Sequence, residues 1–210
     1  MATIRNLDPL KLGLALAAVI AVLGLLGAIE VRYESAPAFD LDDELKLPAF
    51  AAALILLLAA LTARLAAAAD PAGGWPWIVL AALFTLMAAD EVVSLHEALE
   101  DLFAVDWQIL YLPVMAAGGV AWLVALLRLR RLPVAAALLA GGAAAWAIAG
   151  VLESVQWVGP RESERAIEGY GILMGVEELL EMGGSAAFAL APLIAVRAWA
   201  RATVAARAVT

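Results

Sequence analysis

Four uninterrupted apolar runs decide what this chain can fold into. Leu12–Ile29, Leu47–Ala63, Ile109–Leu127 and Leu132–Leu152 contain no Asp, Glu, Lys or Arg. Each is about the length, roughly 20 residues, that carries a helix across a hydrocarbon core. Two further runs, Trp75–Ala89 and Met182–Val196, are shorter. They span only if the acidic residues beside them enter the membrane as well. The runs lack the period-two alternation of a barrel strand. The expectation is an all-α fold, a polytopic membrane bundle of six transmembrane helices over approximately 10–31, 47–66, 75–97, 108–128, 132–153 and 170–199. Residues 1–210 form a single transmembrane domain, because no loop is long enough to hold a soluble one. The first run reads as the first span rather than as a secretory leader, whose apolar core is shorter.

Composition supports this reading. The chain is 65% hydrophobic, well above the roughly half-apolar average of soluble domains. It has no cysteine, so it forms no disulfide or thiolate metal site. Its Arg-over-Lys, Ala-rich usage fits a GC-rich bacterial genome. Loop charges alternate in sign. One side collects Arg5, Lys11, Arg64, Arg128, Arg130, Arg131, Arg197, Arg201 and Arg207, and the other has Arg32, Lys46, Arg161 and Arg165. The positive-inside rule then puts both termini in the cytoplasm, consistent with six spans in a bacterial inner membrane. Of the 21 acids only Asp8 and Asp70 join the cationic side, so the net charge of −8 is polarised toward the other face. Such a surface draws cations and repels nucleic acid. For Glu34, Asp40, Asp42, Asp43, Glu44, Glu162 and Glu164 the bland reading, solvation of outer loops, suffices.

The informative acids adjoin or interrupt apolar runs. The third span reads Asp90-Glu91-Val-Val-Ser94-Leu-His96-Glu97, the fifth ends Glu153-Ser154-Val-Gln156-Trp157, and the sixth carries Glu177-Glu178-Leu-Leu-Glu181. Glu30 ends the first. With alternating spans, all lie at similar depth in the outer half of the bilayer. If the third span is one continuous helix, Asp90, Ser94 and Glu97 share a stripe, while His96 points away from Asp90. On the sixth, Glu181 shares a face with both Glu177 and Glu178, which makes it the foremost inward-facing acid. Gly183-Gly184 follows and admits a close neighbour.

Charges at membrane depth cost several kcal/mol unless paired, protonated or hydrated. The cations at hand are Arg32, Arg161 and Arg165 from the outer loops, with His96 if protonated. Three readings stay open. Asp90, Glu91, His96, Glu97, Glu153, Glu177, Glu178 and Glu181 could hold a cation, and this oxygen-rich set suits Mg²⁺, Ca²⁺, Mn²⁺ or Fe²⁺ better than Zn²⁺ or Cu⁺. They could instead relay protons or ions. Or they pin helices together through Ser94, Ser154, Gln156 or Tyr170. A carboxylate-bridged metal oxidoreductase acting on a lipid-soluble substrate is the enzyme alternative, yet the chain has one His and no Glu-x-x-His. Neither haem nor a nucleotide is expected. No nucleophile elbow, His-Glu-x-x-His or phosphate loop occurs.

The strings Asp-Glu-x-x-Ser-x-His-Glu and Glu-Glu-x-x-Glu-Met-Gly resemble those of uncharacterised bacterial multi-pass membrane proteins. The resemblance covers parts of the third and sixth spans, implies no activity, and suggests that those acids, His96 and Gly183 form one constellation. Gly171-x-x-x-Gly175, Gly141-Gly142 and Gly183-Gly184 allow helices to approach, and Trp75, Trp77, Trp107 and Trp157 read as interface anchors. Pro192 is expected to kink the sixth span. The expected partners are lipids and a cation. Exposed Gly/Ala faces also suit a homo-oligomer or an accessory subunit of a larger membrane complex.

Overall fold

The computed structural model describes residues 7–33, 35–41, 46–105, 107–158 and 165–207. The helices are α1 (Pro9–Tyr33), α2 (Leu47–Ala69), α3 (Trp75–Val93), α4 (Leu95–Phe103), α5 (Trp107–Arg128), α6 (Pro133–Gln156) and α7 (Tyr170–Arg207). Short 3-10 turns at Pro37–Phe39 and Leu129–Arg131 join neighbours, and β1 (Trp157–Val158) pairs antiparallel with β2 (Arg165–Ala166) between α6 and α7. Six helices, all but α4, are long and apolar enough to cross a membrane. The protein is a polytopic helical membrane bundle.

Local chemistry sets the helix starts. Pro9, Pro48, Pro76 and Pro133 sit in first turns, where a missing N–H costs nothing. Asp8 caps α1 by accepting from the Leu10 amide at 2.9 Å. The helix that carries the sixth span continues past residue 199 to Arg207, because the Ala-rich tail Ala198–Ala206 extends it without a breaker. Pro192 is fully buried inside it and does not end it.

The 38-residue α7 is the spine of the bundle. It packs most extensively on α6, then on α2, and α1 lies against it; α2 pairs along α3, and α5 leans on α3 while barely touching α6. Small residues make these approaches possible. A Cβ on Gly142 would stand 2.9 Å from the Gly184 carbonyl oxygen, and one on Gly184 would stand 2.9 Å from that of Gly142. The two glycines are thus the crossing point of α6 and α7, whereas Gly141 and Gly183 face open space. The core below the acidic end is built from Ala59, Ala63 and Ala66 of α2, Trp77 and Phe84 of α3, and Phe188 of α7. Large apolar side chains such as Leu10, Leu25, Leu54 and Ile109 face outward, as lipid contact requires.

One polar contact clamps the cation-rich end. The buried Asp70 carboxylate, between α2 and α3, accepts from the Ala72 amide, the Trp77 indole and the Arg128 guanidinium, each at 2.9 Å. Asp70 is therefore the anchor of an arginine. Trp77, expected at the interface, is fully buried beside it, while Trp75 is exposed as an anchor should be.

Candidate functional site

The third span is not one helix through Glu97. It stops at Val93, Ser94 takes a left-handed conformation (φ 48°, ψ 48°), and α4 begins at Leu95. The stripe expected to join Asp90, Ser94 and Glu97 therefore does not exist. The break also reverses the expectation for His96. Turned at Ser94, the chain lays His96 over Asp90: the His96 amide donates to Asp90 Oδ1 at 2.8 Å, and His96 Nδ1 lies 3.2 Å from Oδ2. The Tyr111 hydroxyl of α5 donates to the same carboxylate at 3.2 Å. Asp90 is buried, and this clasp holds α3, α4 and α5 in register.

Around the clasp, acids from four helices meet. Asp90 and Glu91 of α3, His96 and Glu97 of α4, Glu153 of α6, and Glu177, Glu178 and Glu181 of α7 all line one chamber of about 280 Å³. All eight residues singled out from the sequence are thus brought together. Glu30 is not: its carboxylate accepts from the Ala36 amide and ties the end of α1 to the following turn. Among the described residues no Lys or Arg lines the chamber. Arg32 lies over the Tyr33 ring instead, and Arg161 and the side chain of Arg165 fall outside the described residues.

The carboxylates differ in what holds them. Glu153 accepts from the Trp107 indole at 3.1 Å and from Gln108 at 3.4 Å. Glu177 accepts from the buried Gln156 amide. Glu181, well inside α7, makes no side-chain hydrogen bond among the described residues. Glu91, Glu153 and His96 line the same chamber as Glu181. Ser154 bonds back to the Val151 carbonyl at 2.8 Å rather than to an acid. Among the described residues no three His, Asp or Glu side chains are grouped as a metal ion would need. Holding a divalent ion would therefore require carboxylates to swing inward.

Three contributors escaped the sequence reading. Trp107 was expected at the interface, but its ring forms a chamber wall, 5.6 Å from His96 and 5.7 Å from Tyr111 between centroids. Tyr111 and Trp146 lie inside apolar runs with nothing in the sequence to mark them. The Trp146 indole donates to the Glu181 carbonyl at 3.1 Å and reaches the Ser185 hydroxyl at 3.2 Å, fixing the α7 backbone at the deepest acid.

A second, apolar cavity of about 300 Å³ continues from the chamber between α2, α3, α5, α6 and α7. It shares Met87, Glu91, Trp107, Glu153 and Glu181 with the chamber and is otherwise lined by apolar, aromatic and glycine residues with Ser185. Residues 12–196 match the model of a domain of unknown function, DUF8692. No curated protein and no solved structure matches the chain.

Proposed function

The chain belongs to the DUF8692 family, and we propose that it binds a cation in the carboxylate chamber, with Glu181 as the central ligand. One observation carries the reading: a carboxylate inside a membrane-spanning helix, without a side-chain hydrogen bond among the described residues, lining one chamber with Glu91, Glu153 and His96. An uncompensated charge there costs roughly 2.5 to 3.5 kcal/mol even on the lenient insertion scales. A bound cation removes that cost, and so does a proton, so cation and proton compete for the site.

Asp90 has a different part. Its clasp with His96 and Tyr111 positions the α3–α4 corner, and Glu91 and Glu97 flank that corner. Glu153, which accepts from the Trp107 indole, and Glu177, which accepts from the Gln156 amide, line the chamber beside Glu181. The proposed setting is a bacterial inner membrane with both termini cytoplasmic and the chamber near the outer face. The packed core between the chamber and the Asp70–Arg128 clamp supports binding from one side; carriage across the bilayer would need α3 or α7 to move.

Elemental analysis of the purified protein, followed by thermal unfolding with H⁺, Na⁺, Mg²⁺, Ca²⁺ and Mn²⁺ titrated in turn, tests the reading. At least one cation should stabilise the wild type, and Glu181→Gln should lose that response while keeping the helical circular dichroism of the wild type. Equal responses in both proteins would remove Glu181 from the site.

A further inference from the structure

The geometry points to an amphipathic organic cation as the ligand: an amine whose head sits among Glu91, Glu153 and Glu181 and whose hydrocarbon tail fills the adjoining cavity. This rests on the cation-binding reading and adds to it the tail and the route of entry.

A hydrated inorganic ion needs the acids alone, yet the acids here form the polar end of a longer space. Glu91, Glu153 and Glu181 line both the chamber and the apolar cavity. Beyond them the walls are Leu83, Phe84, Trp122, Trp146 and Phe188, with no Lys or Arg among the described residues. About 300 Å³ of such space is at the lower end of ordinary ligand pockets, and pockets of this kind are apolar with a few convergent polar groups at one end. The charge of the polar end selects a cation over a neutral or anionic amphiphile, and aromatic faces favour alkylammonium groups further.

The cavity also opens sideways. Met115 and Gly119 of α5 and Ala147 of α6 line it and are themselves exposed. A Cβ on Gly119 or Gly150 would meet nothing within 4 Å. Although α5 and α6 are consecutive, they hardly touch; a bond from the Trp122 indole to the Leu139 carbonyl, 2.9 Å, links them toward the clamped end. The slit above that bond faces the lipid-exposed surface of the bundle. A ligand entering there comes from the bilayer, tail included.

The test uses the full-length protein in lipid nanodiscs with ω-bromodecylamine, whose bromine quenches nearby tryptophans. Trp122 and Trp146 in the cavity wall report on the tail. The expected result is saturable quenching, relieved by unbrominated decylamine and absent with the neutral ω-bromodecanol. Glu181→Gln should weaken it about tenfold to a hundredfold, the usual worth of a hydrogen bond to a charged group. Gly150→Leu, which fills the slit where space is open, should abolish it. Gly141→Leu, on the same helix but outside the cavity, should leave it unchanged and so controls for partitioning into lipid. Saturable Mg²⁺ or Na⁺ binding lost in Glu181→Gln, with no saturable amine quenching, would overturn the amphipathic ligand and leave the cation site standing. Equal quenching by the amine and the alcohol would overturn the role of charge. Absence of saturable binding by any of these cations would overturn both readings.

Discussion

Asp70→Ala should destabilise the bundle by about 2 to 5 kcal/mol, although Asp70 lies in a tight turn far from the acid chamber. The magnitude follows from what the substitution strands. The Trp77 indole N–H, 2.9 Å from Asp70 Oδ2, belongs to a fully buried ring with 0% exposure and would lose its acceptor. Orphaning a buried donor costs about 1 to 3 kcal/mol. The ion pair contributes the rest. Its Asp70 side chain is 2% exposed but its Arg128 side chain is 19% exposed. The pair therefore lies between a surface bridge, worth about 0 to 1 kcal/mol, and a buried one whose breaking costs about 3 to 5. Arg128→Ala should cost less, about 1 to 3 kcal/mol, because Ala72 and Trp77 still satisfy the carboxylate. Detergent-driven unfolding followed by circular dichroism gives both values, and the double variant completes the cycle. Coupling of about 1 kcal/mol or more is expected, since the two share one contact. A cost for Asp70→Ala below about 0.5 kcal/mol, or strict additivity, would refute the clamp.

Other outcomes follow from the same structure. Gly142→Val should destabilise by about 1 to 3 kcal/mol or more, because its Cβ would meet the Gly184 carbonyl 2.9 Å away, while Gly183→Ala should be tolerated in unfolding titrations. Tyr111→Phe removes one donor from Asp90 and should cost about 1 kcal/mol in the same assay. Reporter fusions at Asp42, Asp101 and Glu164 should score outside, and those at Asp70 and Arg130 inside; an outside score at Arg130 would reverse the orientation.

Much of the architecture was legible because lipid leaves little choice. Charge-free runs must be helices, and the short third and sixth runs could span only by carrying Asp90, Glu177 and their neighbours inward. Convergence of those acids followed from the alternation of the spans. The site's inner geometry was less legible. Nothing as forceful as Gly or Pro marks Ser94, and the continuous wheel drawn through it put His96 on the wrong side. A faint signal was present: Ser94-Leu-His-Glu97 has the spacing that opens a helix, with an acid in the first turn, after two β-branched valines. Trp77 and Trp107 sit near helix ends, where interface anchoring is the default. Only tertiary contact, with Asp70 in one case and Glu153 in the other, turned them inward. Which of two adjacent glycines faces a neighbour, Gly142 rather than Gly141, depends on the rotation of α6 about its axis. An apolar run leaves that rotation undetermined.

The most direct measurement of the central claim is equilibrium dialysis of the wild type and Glu181→Gln, in parallel, against the cation that stabilises the wild type best. The account predicts saturable binding near one cation per chain in the wild type, weakened about tenfold or more in the variant, with identical helical content. Undiminished binding to Glu181→Gln, or no saturable binding of any cation by the wild type, would contradict it.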